Sequence, residues 1–190
     1  MKKKLFVIGD SISMQYGPYL KKLCRGTFCY GRKKGNGGDS DTLMAFVEWQ
    51  AASGKIKYDV VLLNCGLHDI KTRDGRCQVE LPQYRENLRA VLAVFQKKQV
   101  HILWVRTTPV FDEIHNSRVG EFSRSCADVA RYNRAADEIM AENHIEIIDL
   151  YGFTLPLLPD GYCDHVHFNS QVQKAQAAFI FREVYRYAAK

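Results

Sequence analysis

The sequence predicts an α/β fold: a three-layer α/β/α sandwich around a central, mostly parallel sheet of about five strands. Three observations carry that expectation. Short apolar runs rich in β-branched residues recur along the chain, as buried parallel strands require. Longer stretches between them place apolar residues three and four positions apart, the spacing of a helix that buries one face. The two kinds of segment alternate from one end to the other. A chain of 190 residues with 46% apolar content has the size of one domain with a full core, so residues 1–190 are read as a single domain.

The elements follow in order. Residues 5–8 (Leu-Phe-Val-Ile) form the first strand run, and a helical stretch follows from about Tyr16. A weaker strand candidate lies at 27–30. Stronger ones lie at 60–63, 102–105 and 145–148. The helical stretches are 84–96, with Leu88, Val91, Leu92 and Phe95 on one face; 129–142, with Tyr132, Ala136, Ile139 and Met140; and 170–188, with Val172, Ala175, Phe179, Ile180 and Val184. In sheets of this kind ligands bind where loops leave the carboxyl ends of the strands. The exits to inspect are therefore Gly9-Asp10-Ser11 and residues 66–69, 107–109 and 149–151.

Composition narrows the partners. The net charge of +6 comes from scattered lysines and arginines, with clusters at residues 2–4, 21–22 and 32–34, and reads as a solvated surface. No nucleic-acid motif accompanies it, so no nucleic acid is expected as partner. No apolar run approaches a membrane span. The basic start imitates a signal peptide, but Gly9-Asp10 ends the apolar stretch after four residues, where a signal needs roughly 7–15; a cytoplasmic location is the expectation. Of the six cysteines (Cys24, Cys29, Cys65, Cys77, Cys126, Cys163) none forms a CxxC pair, so they are read mostly as small buried residues and not as a zinc site. Cys65 and Cys163 flank the residues discussed next, which makes them candidate sites of inhibition by alkylation.

Ser11 closes the first strand exit. Such a serine is either the cap of the following helix or a nucleophile held at a strand-to-helix turn. Its hydroxyl attacks well only if a histidine takes its proton and a carboxylate fixes that histidine's tautomer. Asp164-His165-Val166-His167, just before the last helical stretch, supplies both on one loop. His165 rivals His167 as base, and a metal held by Asp164, His165 and His167 is a further reading, weakened by the lack of another ligand cluster.

At these residues the chain resembles the SGNH hydrolases, also called GDSL-type esterases, and it does so over its whole length in the family's block order. Gly9-Asp10-Ser11-Ile12 is similar to the first block, Gly37-Gly38-Asp39-Ser40 to the second, Gly66-Leu67-His68-Asp69 to the third and Asp164-His165-Val166-His167 to the last. The resemblance implies a flavodoxin-like sheet, with Ser11 as nucleophile, His167 as base and Asp164 as its carboxylate partner. It implies an oxyanion hole made by the N–H groups of Ser11 and Gly38 and the side chain of His68. His68 stands where the family has an asparagine, and Lys33 where it often carries another. A ring N–H can replace an amide donor if it points into the hole. Asn64 is an alternative donor, read here with Asp10 and Asp69 as support behind the site.

The implied activity is acyl transfer from an ester, with no metal or organic cofactor. By analogy the preferred substrates are O-acetyl groups on carbohydrates, with a lysophospholipase or thioesterase as runner-up. A non-catalytic ligand-binding protein on the same scaffold and a nucleotide binder are the competing classes. The second lacks the glycine-rich phosphate loop it would need after the first strand. Among the other residues, Pro109 is read as shaping its loop. Phe111, His115 and Arg118 lie where substrate selection is expected, His115 with the default of a surface histidine. Trp49 and Trp104 are read as core aromatics, and Tyr132-Asn133-Arg134 as packing and a solvated face.

Overall fold

In the computed structural model, which describes residues 1–188, the strand runs become a five-stranded sheet. The chain forms β1 (Lys4–Ile8), α1 (Ser11–Leu23), β2 (Cys29–Arg32), α2 (Ser40–Ala52) and β3 (Val60–Leu63). A small hairpin, β4 (Thr72–Arg73) and β5 (Arg76–Cys77), precedes α3 (Leu81–Lys97) and β6 (His101–Val105). The rest comprises α4 (Asp112–Asn116), α5 (Cys126–Glu142), β7 (Glu146–Ile148), α6 (Leu150–Thr154), a 3-10 turn (Leu155–Leu157) and α7 (Ser170–Ala188).

The sheet order is β2-β1-β3-β6-β7, and every pairing is parallel. From β1 the chain steps outward to β2, then crosses back over β1 to reach β3. Right-handed crossovers force the helices of those two steps onto opposite faces. Accordingly α1 packs on α7, whereas α2 packs on α3 and α3 on α5. β3 is covered on both sides, and all four of its residues are buried, which is why the run reads as continuous apolar sequence and does not alternate. Each fully buried Val or Leu of this kind contributes about 1.5–3 kcal/mol.

Four sequence expectations shift. The second strand lies two residues further on than 27–30, because its pairing with β1 runs to Arg32 opposite Val7. α2 was not anticipated. Its N-terminus is fixed by Asp39, whose Oδ1 accepts from Thr42 N (2.9 Å). Trp49 sits on its outer face, half exposed, with Lys55 over the ring; only Trp104 is a core aromatic. The cysteines are all free, and only Cys24 and Cys65 are buried.

The fold puts the ends of β1 to use. At its start, the ammonium of Lys3 donates to the carbonyl of Ala188 at the end of α7 (2.8 Å). At its other end, β1 and β3 run side by side to Ile8 and Leu63 and release their loops at the point where strand order reverses, the place a crevice forms in such sheets.

Candidate active site

Ser11 is the first residue of α1. The helix begins five residues earlier than the sequence suggested, and Asp10 caps it: its Oδ1 accepts from Ile12 N (2.9 Å). Asp10 is 1% exposed. Burial pushes its carboxyl up, opposed by the Ile12 N–H and the charge of Arg124. With Asp10 as cap, the Ser11 hydroxyl is free for another partner, and the Ser11 N–H belongs to the helix's first turn, which has no intrahelical acceptor.

That partner comes from the far end of the chain. The Ser11 hydroxyl donates to His167 Nε2 (2.7 Å), joining residues 156 apart in sequence, and His167 Nδ1 donates to Asp164 Oδ2 (2.6 Å). The direction follows from the charge, since an ionised carboxylate only accepts. The other oxygen of Asp164 accepts the N–H groups of Val166 (2.8 Å) and His167 (2.7 Å). Burial alone would raise this carboxyl, but those N–H groups and the imidazole pull it down to about 2. The loop is tied to α1 by Phe168 N–H donating to Gln15 Oε1 (3.2 Å), and Asn169 caps α7 immediately behind it through Gln171 N (3.0 Å) and Val172 N (3.1 Å). His165 does not compete for the serine. Its Nδ1 lies 2.8 Å from Nδ1 of His115. Asp164 and His167 bond to each other, and His165 faces a different partner.

The opposite wall is built from two further loops. Gly37 N–H donates to Gly9 O (2.9 Å), and a Cβ at Gly37 would stand 2.6 Å from that oxygen, so only glycine allows the second loop to lie against the first. Ser40 N–H, at the start of α2, donates to Asp69 Oδ1 (2.8 Å), which joins the third loop to the second. Gly66 has φ +148, and a side chain there would collide with the Thr107 hydroxyl. Gly38 is held differently from the expectation. Its N–H donates to Asn36 Oδ1 (2.9 Å) in a tight asparagine turn, so an incoming oxygen would have to displace the Asn36 carbonyl.

His68 lies in the third loop, within the electrostatic reach of His167 and Asp39. Burial and the charges of Lys71 and Arg124 lower its imidazolium to about 4. At neutral pH the ring is therefore uncharged and carries one N–H donor. Asn64 stands behind: its side-chain N–H donates to Val105 O (2.9 Å), bracing β3 against β6. Asp69 is fully buried. Burial pushes its carboxyl up to about 7, and its Oδ2 has no partner among the described residues.

Several contributors escaped the sequence reading. Arg124 is 5% exposed; its Nε–H donates to Leu67 O (2.6 Å), and its guanidinium lies over the Phe122 ring at 4.9 Å. Burial lowers it to about 10, opposed by Asp10. Asn133 is a buried clamp on the β6 exit, not part of a solvated face: it accepts from Thr107 N (3.0 Å) and donates to Thr107 O (2.9 Å). His115, read as a surface residue, is fully buried. Cys65 is buried and its thiol is pushed well up by burial, which removes it as an alkylation site; Cys163 is exposed.

A serine at a strand-to-helix turn, hydrogen-bonded through histidine to aspartate on a parallel α/β sheet, is the constellation of the serine hydrolases. The comparisons narrow the class. The sequence model of the GDSL-like lipase/acylhydrolase family matches residues 7–175, and the chain belongs to that family. Among solved structures it is similar to the acetyl xylan esterase AlAXEase (20% identity, TM-score 0.76, covering 95% of this chain and 99% of that one). It is also similar to a putative acylhydrolase from Bacteroides fragilis (15%, TM-score 0.78, 97% and 87%). A third is a catalytic mutant of Axe2, an acetylxylan esterase from Geobacillus stearothermophilus (17%, TM-score 0.74, 96% and 94%). No curated protein sequence matches the chain. Among the described residues, no helix is long and apolar enough to cross a membrane.

Proposed function

We propose that this protein is a serine esterase that hydrolyses small acyl esters, with O-acetyl groups on carbohydrates as its substrate class. The observation that carries the reading is the Ser11–His167–Asp164 chain, with links of 2.7 and 2.6 Å. His167 takes the proton of Ser11 as Oγ attacks the ester carbonyl. The tetrahedral oxyanion forms against the Ser11 N–H and the neutral ring of His68, with the Gly38 N–H joining once Asn36 yields. Collapse breaks the ester C–O bond, and His167 returns the proton to the leaving alcohol. Water then enters, is deprotonated by the same imidazole and adds to the acyl carbonyl; collapse breaks the acyl–Oγ bond, His167 returns the proton to Ser11 Oγ, and the acid leaves. Asp164 holds the tautomer and stabilises the imidazolium. Each proton and electron pair is accounted for by these groups and water, so the scheme calls on no cofactor.

The acetyl preference is supported by the acetylxylan esterases among the similar structures. One observation favours longer acyl chains instead. An open hollow of about 490 Å³ beyond the β6 exit is lined by Val110, Phe111, Ile114 and Pro159 and offers apolar surface to a chain. A 4-nitrophenyl ester series from acetate to decanoate, run on wild type and Ser11→Ala, separates the two. The expected result is Ser11-dependent hydrolysis that is fastest with acetate. A preference for decanoate would overturn the acetyl assignment. Failure of Ser11 in folded protein to react with a fluorophosphonate would overturn the esterase itself.

A further inference from the structure

His165 and His115 sit beside the Ser11–His167–Asp164 chain without belonging to it. Their Nδ1 atoms are 2.8 Å apart, so one of the two must donate and the other accept. The surroundings decide which. His115 is fully buried and its Nε2 has no hydrogen-bond partner. Were His115 the acceptor, its proton would sit on that Nε2, a buried donor left unpaired. Were it the donor, Nε2 would be a bare acceptor, and buried acceptors go unpaired at less cost than buried N–H groups.

The charge nearby keeps the His115 ring neutral. Arg124 is a buried cation with no carboxylate in contact among the described residues, and it shares the ring of Phe122 with His115 (5.6 Å between the two ring centroids). Burial and then the Arg124 charge hold His115 unprotonated, down to about 4. A neutral ring carries a single proton, so one nitrogen of His115 donates and the other can only accept. His115 is therefore a neutral Nδ1–H donor, and His165 Nδ1 is the acceptor.

The consequence falls on the other nitrogen of His165. With Nδ1 accepting, its proton is on Nε2. That atom has no hydrogen-bond partner and is not among the buried unpaired atoms, so it is open to a ligand. Its ring lies 6.2 Å from the ring of His167, the distance of a group beside the scissile bond and not one on it. We infer that His165 is a specificity-determining residue: its Nε2–H, fixed in that tautomer by buried His115, donates to an oxygen of the alcohol half of the substrate, next to the ester. The substrate class is thus a polyol or saccharide ester, which carries such an oxygen, and not a simple alkyl ester. The inference rests on the esterase reading and adds to it.

The test compares the acetate of methyl xyloside with cyclohexyl acetate, a ring of the same size without the neighbouring oxygens. The readout is the ratio of their kcat/KM values. Wild type is expected to favour the xyloside by about tenfold or more, the worth of one good hydrogen bond. His165→Phe is expected to bring the ratio close to one, and His165→Gln, whose amide N–H occupies a similar place, to restore most of it. An unchanged ratio in His165→Phe overturns the inference. Nitrogen-15 NMR of the histidine rings provides a measurement independent of turnover: His115 is expected as the neutral Nδ1–H tautomer at pH 7. A neutral Nε2–H signal from His115 also overturns it. Loss of the esterase reading shows separately, as Ser11→Ala retaining wild-type hydrolysis of 4-nitrophenyl acetate.

Discussion

The two walls of the cleft are made in different ways. On the His167 side, Asp164 and His167 lie three residues apart on a single loop, and Asp164 accepts that loop's own N–H groups as well as the imidazole. On the His68 side, each donor comes from a separate strand exit, and the loops are joined by single bonds, Gly37 to Gly9 and Ser40 to Asp69. One wall is specified locally and the other only by the fold. A local device tolerates little change in its few residues. A tertiary one can exchange one donor type for another, which is how a histidine would serve in the proposed hole where the family has an asparagine.

The comparison implies an order of sensitivities. The largest effect is expected on the local wall: Ser11→Ala or His167→Ala should lower kcat by about 10⁴-fold or more, measured on 4-nitrophenyl acetate. A loss of tenfold or less would mean that this wall does not carry the reaction. Next comes the donor on the tertiary wall. His68→Ala should cost about 10²–10³ in kcat with a smaller change in KM, and His68→Asn should recover most of it. Equal loss in both variants would show that the ring acts through packing and not as a donor.

A third expectation concerns stability. The Asp69 carboxyl is raised to about 7 from an ordinary value of 3.8, so the folded state binds more protons than the unfolded one between those values. Stability contributed by the neutral acid is present below the lower value and is lost as pH rises through the upper one. Asp69→Asn keeps an oxygen for Ser40 N–H and cannot ionise; its Tm should fall less between pH 5 and pH 8 than that of wild type. A parallel fall in both proteins would refute this. The smallest effect is expected from Arg124→Met. Removing the buried charge should move the His68 titration upward from about 4, visible by NMR; a downward move would contradict the role given to Arg124.

The same division explains what could be read in the sequence. β1, β3 and β6 are buried on both faces, so their residue types alone announce them. β2 is an edge strand containing Gly31 and Arg32, and it was placed two residues early. α2 was missed because its outer face carries Trp49 and its buried side includes Gln50, which blurs the apolar spacing. The Asp164–His167 pair was legible because a three-residue spacing encodes a local geometry, whereas Ser11 meets it only through the fold, from 156 residues away. Arg124 and Asn36 lie in loops and His115 in the five-residue α4, all too short or irregular for periodicity, and their meaning comes from what lies next to them in space. Nothing in the string 115–124 says that its histidine is buried against another from residue 165. The expected role of the Gly38 N–H was incomplete for the same reason, since the acceptor that covers it is two residues away on a turn.

The bond between Lys3 and Ala188 has a structural bearing. β1 starts beside it and ends three residues before Ser11, while α7 starts just after the loop of Asp164 and His167 and finishes beside it. Sheet and helix thus act as two parallel struts the full height of the domain. The bond thus ties together, at their far ends, the two elements whose other ends border Ser11 and His167.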